Sequence, residues 1–269
     1  MGSQAGSPTN LGIEMEKTLL GKTALVTGAS RGLGRATAEN LAAQGAIVAI
    51  NYASNDQAAQ ETLQAIEGAG GQAFLIKSPQ GTFAAAEEMA AALDVELILR
   101  TGSNGLDILI NNAGGGPVHT IDDTTPEIFD KVLSDNFSGA FYATKLLAPR
   151  LRDNGRVVFV SSLGAQNALP EYIIYACAKS AVETLTVVMA KVLGPRGITV
   201  NCVMPGLIAS DANADIRANQ PMRDRLEEMT ALGRLGEPED FSGVISSLVS
   251  DRMGYVTGQV IAVSGGMSL

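Results

Sequence analysis

Tyr175 and Lys179 stand four residues apart in the helical pattern EYIIYACAKSAVETLTVVMAKVLG, which puts a phenol and an ammonium on one helix face, one turn apart. A free phenol ionises near pH ~10 and is a poor base at neutrality; a neighbouring cation favours the phenolate and lowers that value. Such a pair can exchange a proton with an alcohol or carbonyl oxygen. Tyr172 has Ala176 four residues on and lacks the partner. Standing alone, Y-x-x-x-K is also the pattern of an ordinary helix-surface pair, so its company decides its meaning. That company begins with Ser161-Ser162, which end a strand pattern, Ser162 preceding Tyr175 by thirteen residues.

A second group of residues has the form of a phosphate cradle. Thr27-Gly28-Ala29-Ser30-Arg31-Gly32-Leu33-Gly34 follows one strand pattern and opens a helix. Glycines at 28, 32 and 34 let the backbone turn tightly and approach a pyrophosphate, which unpaired N–H groups and the helix dipole stabilise. The next strand pattern ends in Ile50-Asn51-Tyr52-Ala53-Ser54, where an enzyme of NAD usually places a carboxylate on the ribose 2′-hydroxyl. No Asp or Glu stands there. Tyr52 takes the position, Asn51 and Ser54 offer donors, and Arg31 can reach from the first turn, so a 2′-phosphate meets a cation and no like charge. The cofactor expected is NADP(H). Asn111-Asn112-Ala113-Gly114 ends a further strand, with small residues that leave room against a cofactor ribose.

The elements that must hold these residues follow from an alternation of apolar runs and helical stretches. Seven runs read as strands: Thr23 to Thr27, Ala46 to Asn51, Ala73 to Ile76, Leu106 to Asn111, Arg156 to Ser161, Ile198 to Val203 and Val260 to Val263. Short continuous apolar runs suit strands buried on both faces, and the helical stretches between them supply the crossovers. The expected fold is α/β: a single Rossmann-type doubly wound domain, a seven-stranded parallel sheet flanked by helices, over residues 18–269. Helices are expected from Arg35 to Gln44, from Asn55-Asp56 to the glycines at 68, 70 and 71, and from near Pro170 to Gly194-Pro195.

Taken together, the T-G-x-x-x-G-x-G turn, N-N-A-G, and Ser162, Tyr175 and Lys179 at their spacing resemble the short-chain dehydrogenase/reductase family across Lys22 to Gly266. That resemblance implies an Asn-Ser-Tyr-Lys tetrad. Tyr175 would be the acid/base, and Lys179 would lower its pKa and bind the nicotinamide ribose. Ser162 would polarise the substrate oxygen, with Ser161 as its rival. Asn136, in Ser134-Asp135-Asn136-Phe137-Ser138, would hold a water linking Lys179 to solvent. Cofactor contacts would come from Gly28, Ser30, Arg31, Gly32, Leu33, Gly34, Asn51, Tyr52, Ala53, Ser54, Asn112, Ala113 and Gly114. Pro205, Gly206 and Ile208 of the loop from Met204 to Ser210 would add theirs, the Ile208 backbone meeting the carboxamide. One departure stands out. The family's third strand usually ends in Asp-Val, the acid contacting adenine, whereas this chain has Lys77-Ser78-Pro79-Gln80, leaving Gln80 or backbone to replace it. The apolar strand near the C-terminus resembles a segment that joins subunits, which implies a homotetramer.

Composition bounds the rest. The chain has 269 residues, a formal charge of −9 and a single histidine, His119. That excludes a broad basic face for nucleic acid and a histidine-rich metal centre, and no metal is expected. Cys177 and Cys202 lie in apolar segments without ligand spacing, which favours a reducing compartment, the cytoplasm by default. Residues 1–17 read as a disordered tail, and no stretch reads as apolar and long enough to cross a bilayer. Substrate is expected against Gly115 to Thr120, Leu163 to Tyr172 and Ile208 to Leu232. These segments carry few aromatics and no carboxylate clamp, which favours a moderately apolar carbonyl compound. The reaction expected is NADPH-dependent reduction of a ketone or aldehyde, or the reverse oxidation. A 3-oxoacyl carrier-protein reductase and a noncatalytic dinucleotide sensor are the alternatives. The first would want a basic docking patch, for which Arg150 and Arg152 are the candidates; the intact Ser162, Tyr175 and Lys179 argue against the second.

Overall fold

The computed structural model of the chain describes residues 17–117, 119–167, 169–210, 213–267 and 269, so the tail expected at 1–17 lies outside them but for Lys17. Strands and helices alternate as expected. In chain order they are β1 (Thr23–Val26), α1 (Gly32–Ala43), β2 (Ile47–Tyr52), α2 (Asp56–Gly68), β3 (Gln72–Lys77), α3 (Phe83–Thr101), β4 (Leu106–Asn111) and α4 (Pro126–Leu133). A π-turn at Ser134–Ser138 runs into α5 (Gly139–Leu147), followed by β5 (Leu151–Val160), α6 (Ile173–Leu193) and β6 (Thr199–Pro205). Then come α7 (Ala214–Ala218), α8 (Gln220–Glu228), α9 (Pro238–Val249) and β7 (Val260–Val263). The seven strands are all parallel, in the order β3-β2-β1-β4-β5-β6-β7. Winding reverses between β1 and β4, and ligands of open α/β sheets bind in the crevice this reversal leaves at the strand ends.

Burial on both faces explains the apolar runs. Alternate strand residues point to opposite sides. Ala24, Val26, Val48, Ile50, Ile108 and Ile110 pack under α1, α2 and α9 against Leu41, Ile66 and Phe241. Leu25, Ala49, Leu109 and Phe159 pack on the other side against Met89, Leu93, Leu147 and Val182 of α3, α5 and α6. Local caps fix where helices start: Asn55 accepts from the Ala58 N–H, and Thr82 and Thr125 do the same for α3 and α4.

Three expectations need correction. Strand β5 starts at Leu151 rather than Arg156, because its polar residues Arg152, Asp153 and Asn154 hide the extension from a hydrophobicity reading; the pairing with β4 shifts register between Leu106 and Ile108. Helix α1 starts at Gly32, two glycines being within its first turn. The reading that no stretch could span a bilayer fails on length and composition at Ile173–Arg196, which has a mean hydropathy of 1.5. Its apolarity has a different physical basis. One face of α6 packs on the sheet through Val182 and Leu185, and the opposite face carries exposed Val187, Val188 and Val192.

Candidate active site

Two turns meet at the reversal point and are laced together. The Thr27 hydroxyl accepts from the N–H groups of Asn112 and Ala113, each at 2.9 Å, while Asn112 Nδ2 donates to the carbonyls of Thr27 at 2.8 Å and Gly28 at 3.2 Å. Gly34 sits so tightly under this lacing that a β-carbon would strike the Gly28 carbonyl. Gly32 is the reverse case: its φ is +57° and nothing lies within 4 Å of a built β-carbon, so its open side is groove. The extended Arg31 gives α1 no side-chain cap. Unpaired N–H groups at a helix start carry partial positive charge and suit an anion. Arg31 is exposed on the same groove, and its guanidinium has no partner among the described residues. By these tests the turn fits a dinucleotide's phosphates.

At the end of β2 the structure brings in a carboxylate that the strand itself lacks. Tyr52 is buried and donates its hydroxyl to Asp56 Oδ1 at 2.9 Å, and Asp56 Oδ2 meets Lys77 Nζ at 2.7 Å. Burial, then Asp56, raises the Tyr52 pKa; the Lys77 hydrogen bond, then Tyr52, lowers that of Asp56. The expectation that no acid lies near this site is thus corrected, because the first turn of α2 folds back onto the strand. Asn51 is also spent: Nδ2 donates to the carbonyls of Ile76 and Ser78, at 3.2 and 3.0 Å. Gln80 donates its amide to Asn51 Oδ1 at 3.1 Å and to Met89 Sδ, which turns it away from the role of replacing the missing acid at Pro79. Ser30, Ala53 and Ser54 remain on the groove wall beside Arg31.

The groove continues over Asn112 and Gly114 to Tyr175, Lys179, Pro205 and Ser210, a cavity of about 420 Å³. Lys179 is buried, donates to the Val160 carbonyl at 3.0 Å, and stands 5.7 Å from the centre of the Tyr175 ring. Burial pulls its ammonium down to about 8. Tyr175 moves upward from its ordinary value: burial raises it, Ser162 lowers it, and Tyr172 raises it. This direction opposes the expected lowering by Lys179, whose ammonium is turned to the end of β5. Ser162 and Tyr175 both border Gly164, where a built β-carbon would lie 3.3 Å from Ser162 Oγ and 3.8 Å from Tyr175 Cε1. Ser161 takes another path: it is buried and donates to Glu183 Oε1 at 2.7 Å and to the Lys179 carbonyl at 3.3 Å. Glu183 was missed in the sequence, although it is the third member of an i, i+4, i+8 row with Tyr175 and Lys179.

Asn136 is buried in the π-turn, accepts from the Gly115 N–H at 2.7 Å, and donates to the carbonyls of Gly115 and Val132. Gly114 separates it from Lys179; a β-carbon there would lie 2.8 Å from Asn136 Oδ1 and 2.9 Å from Lys179 Nζ. Beyond β6, Gly206 packs on Ser264. The Ile208 carbonyl accepts from Asn213 Nδ2 at 2.6 Å, while its N–H has no acceptor among the described residues. His119 bridges through its backbone to Tyr172. In the charged segment that follows, Arg223 pairs with Glu227 and Gln220 with Asp224 on the exposed α8, and Asp211 lies outside the described residues. Among the described residues no three His, Cys, Asp or Glu side chains are placed to hold a metal.

Comparison with known proteins gives a concordant picture. A family model described as enoyl-(acyl carrier protein) reductase matches residues 28–268. L-rhamnose 1-dehydrogenase (NAD(P)(+)) of Sphingomonas sp. (strain SKA58) is 38% identical over 93% of this chain and 98% of its own. Among solved structures, the angucycline C-6 ketoreductase LanV with bound NADP is 37% identical, with a TM-score of 0.88 over 93% of this chain and 97% of that one. A short-chain dehydrogenase/reductase from Serratia marcescens BCRC 10948 is 34% identical, with a TM-score of 0.86 over 94% of this chain and 100% of that one.

Proposed function

The chain belongs to the short-chain dehydrogenase/reductase family, and from that premise we propose that it reduces a ketone or aldehyde with NADPH. The observation that carries this reading is one continuous groove, which runs from the uncapped start of α1 and the exposed Arg31 to Tyr175 and Lys179. NADPH, when bound, supplies a hydride. This chain's residues do the remainder. The N–H groups at the start of α1 would hold the pyrophosphate, and Arg31, with Ser30 and Ser54, would hold the 2′-phosphate. Asn112, Ala113 and Gly114 would hold the ribose, Pro205 and Gly206 would fix the loop on the nicotinamide side, and the Ile208 N–H, without an acceptor among the described residues, would donate to the carboxamide.

Tyr175 gives its proton to the substrate oxygen, and Ser162 donates a hydrogen bond to the same atom. A phenol whose pKa is held above the ordinary value is protonated at neutral pH, the form that a reduction consumes. Lys179 supplies positive charge beside the phenolate that forms, and Asn136 holds Gly115 and hence the floor between them. Residues 18–269 act as one dinucleotide-binding and catalytic domain. The substrate is a moderately apolar carbonyl compound bound against the segments after β4, β5 and β6. A homotetramer is supported by the exposed apolar face of α6, and a cytoplasmic setting by the two free cysteines.

A carrier-protein substrate has less support. Arg150 is paired with Asp94 and Arg152 with Asp107, which itself binds Thr23 at the start of β1, the end of the sheet away from Tyr175. The test is NADPH oxidation with a panel of ketones, aldehydes and β-ketoacyl thioesters. Carbonyl-dependent oxidation is expected with simple ketones or aldehydes; binding of NADPH without oxidation by any of them would favour a noncatalytic sensor.

A further inference from the structure

Pro79 removes the carboxylate from the end of β3, yet the groove wall there still holds one. Among the described residues only one Asp or Glu borders this part of the groove, and it comes from a different element: Asp135, in the π-turn between α4 and α5. We propose that Asp135 recognises the adenine amino group of the dinucleotide in place of the missing acid, an inference that rests on the cofactor reading above.

Packing brings the two segments side by side. Gly81, two residues after Pro79, lies so close to Ser134 that a β-carbon there would collide with its hydroxyl. Gly139 also packs closely on Gln80, whose Cβ and whose successor's backbone nitrogen would each be 3.0 Å from an added carbon. Pro79 and Asp135 therefore border the same stretch of groove. A π-turn carries one residue more per turn than an α-helix and re-aims the side chains after it, a device frequent at functional sites.

The amide side chains nearby are already committed. Both amide protons of Gln80 point to Asn51 and Met89, and Gln80 Oε1 lies toward Gly139. Asn51 gives its protons to the backbone of Ile76 and Ser78 and accepts from Gln80. Asn55 caps α2. Asp135 Oδ2 accepts from Lys131 Nζ at 2.7 Å, and Oδ1 has no partner among the described residues. Lys131 borders the groove as well and neutralises the pair, so the carboxylate adds no net repulsion toward the cofactor's phosphates. An amino group needs an acceptor, and a carboxylate oxygen is a strong one.

The inference is tested by replacing the amino group. Kd values for NADPH and for its hypoxanthine analogue, which carries a carbonyl oxygen at that position, are measured by titrating the quenching of intrinsic tyrosine fluorescence. Wild type should prefer NADPH by roughly tenfold, because a carboxylate facing a carbonyl sets acceptor against acceptor. Asp135→Asn should lose or reverse the preference, since an amide can donate to the carbonyl, and Asp135→Ala should lose it. A ratio of two affinities on one sample does not depend on the fraction folded. An unchanged preference in both variants, or none in wild type, overturns the assignment while leaving the cofactor reading intact. Wild type that binds neither dinucleotide overturns both.

Discussion

The Lys179 ammonium donates to the carbonyl of Val160 across 3.0 Å, tying the second turn of α6 to the last residue of β5. Both residues are buried, and among the described residues no carboxylate pairs with this ammonium. The bond positions the cation beside Tyr175, while burial makes its charge costly to keep.

That cost has a pH signature. The folded protein releases the Lys179 proton at about 8, whereas the unfolded chain keeps it to the ordinary lysine value of 10.5. Between these values the unfolded state binds more protons, so unfolding free energy rises with pH. Cys202, pushed up to about 12 by burial, opposes this rise above the ordinary thiol value of 9.0. The clean window is pH 8 to 9, where urea melts of wild type should gain on Lys179→Met by about 1 kcal/mol per pH unit at most. A difference independent of pH would contradict the shift. By the same titration, kcat/KM for reduction should fall above about pH 8 in wild type.

Arg31 has no partner among the described residues, so its removal isolates its contact with ligand. Arg31→Ala should raise the Kd for NADPH roughly 10- to 100-fold, the range of a charge-assisted hydrogen bond, and leave that for NADH nearly unchanged. Fluorescence titration with each dinucleotide reads this directly. Equal losses for both would place the guanidinium away from a 2′-phosphate.

Gly34 and Gly68 make opposite forecasts for the same substitution. Gly34→Ala drives a methyl into the Gly28 carbonyl and should cost about 1–3 kcal/mol together with cofactor affinity. Gly68→Ala, with open space around it at the last residue of α2, should be neutral or gain up to about 1 kcal/mol. Thermal melts of the two variants check the contrast.

Legibility in the sequence tracked burial. Strands buried on both faces, such as Leu106–Asn111, announced themselves as apolar runs with the right ends. Polar Arg152–Asn154 did not, although they extend β5. The spacing of Tyr175 and Lys179 correctly placed them together, because four residues on a helix fix a direction. It could not tell the sign of the Tyr175 shift, which depends on how deeply the ring is buried and where the ammonium turns. Asp135 was passed over for a related reason: it reaches the groove from the π-turn between α4 and α5, a long-range placement that local pattern does not encode, whereas Asp56 meets Tyr52 only four residues back, across the turn from β2 into α2. The π-turn itself has no periodic signal, since one inserted residue in an otherwise continuous helical run resembles noise.

The most direct test follows deuterium from nicotinamide-labelled NADPH into the product of a ketone or aldehyde that the enzyme reduces. The label should appear on the carbinol carbon, and Tyr175→Phe should bind NADPH as wild type does while transfer slows by roughly 10²- to 10⁴-fold, the contribution of a positioned acid. Product without label, or transfer undiminished in Tyr175→Phe, would contradict hydride delivery beside a phenolic proton donor.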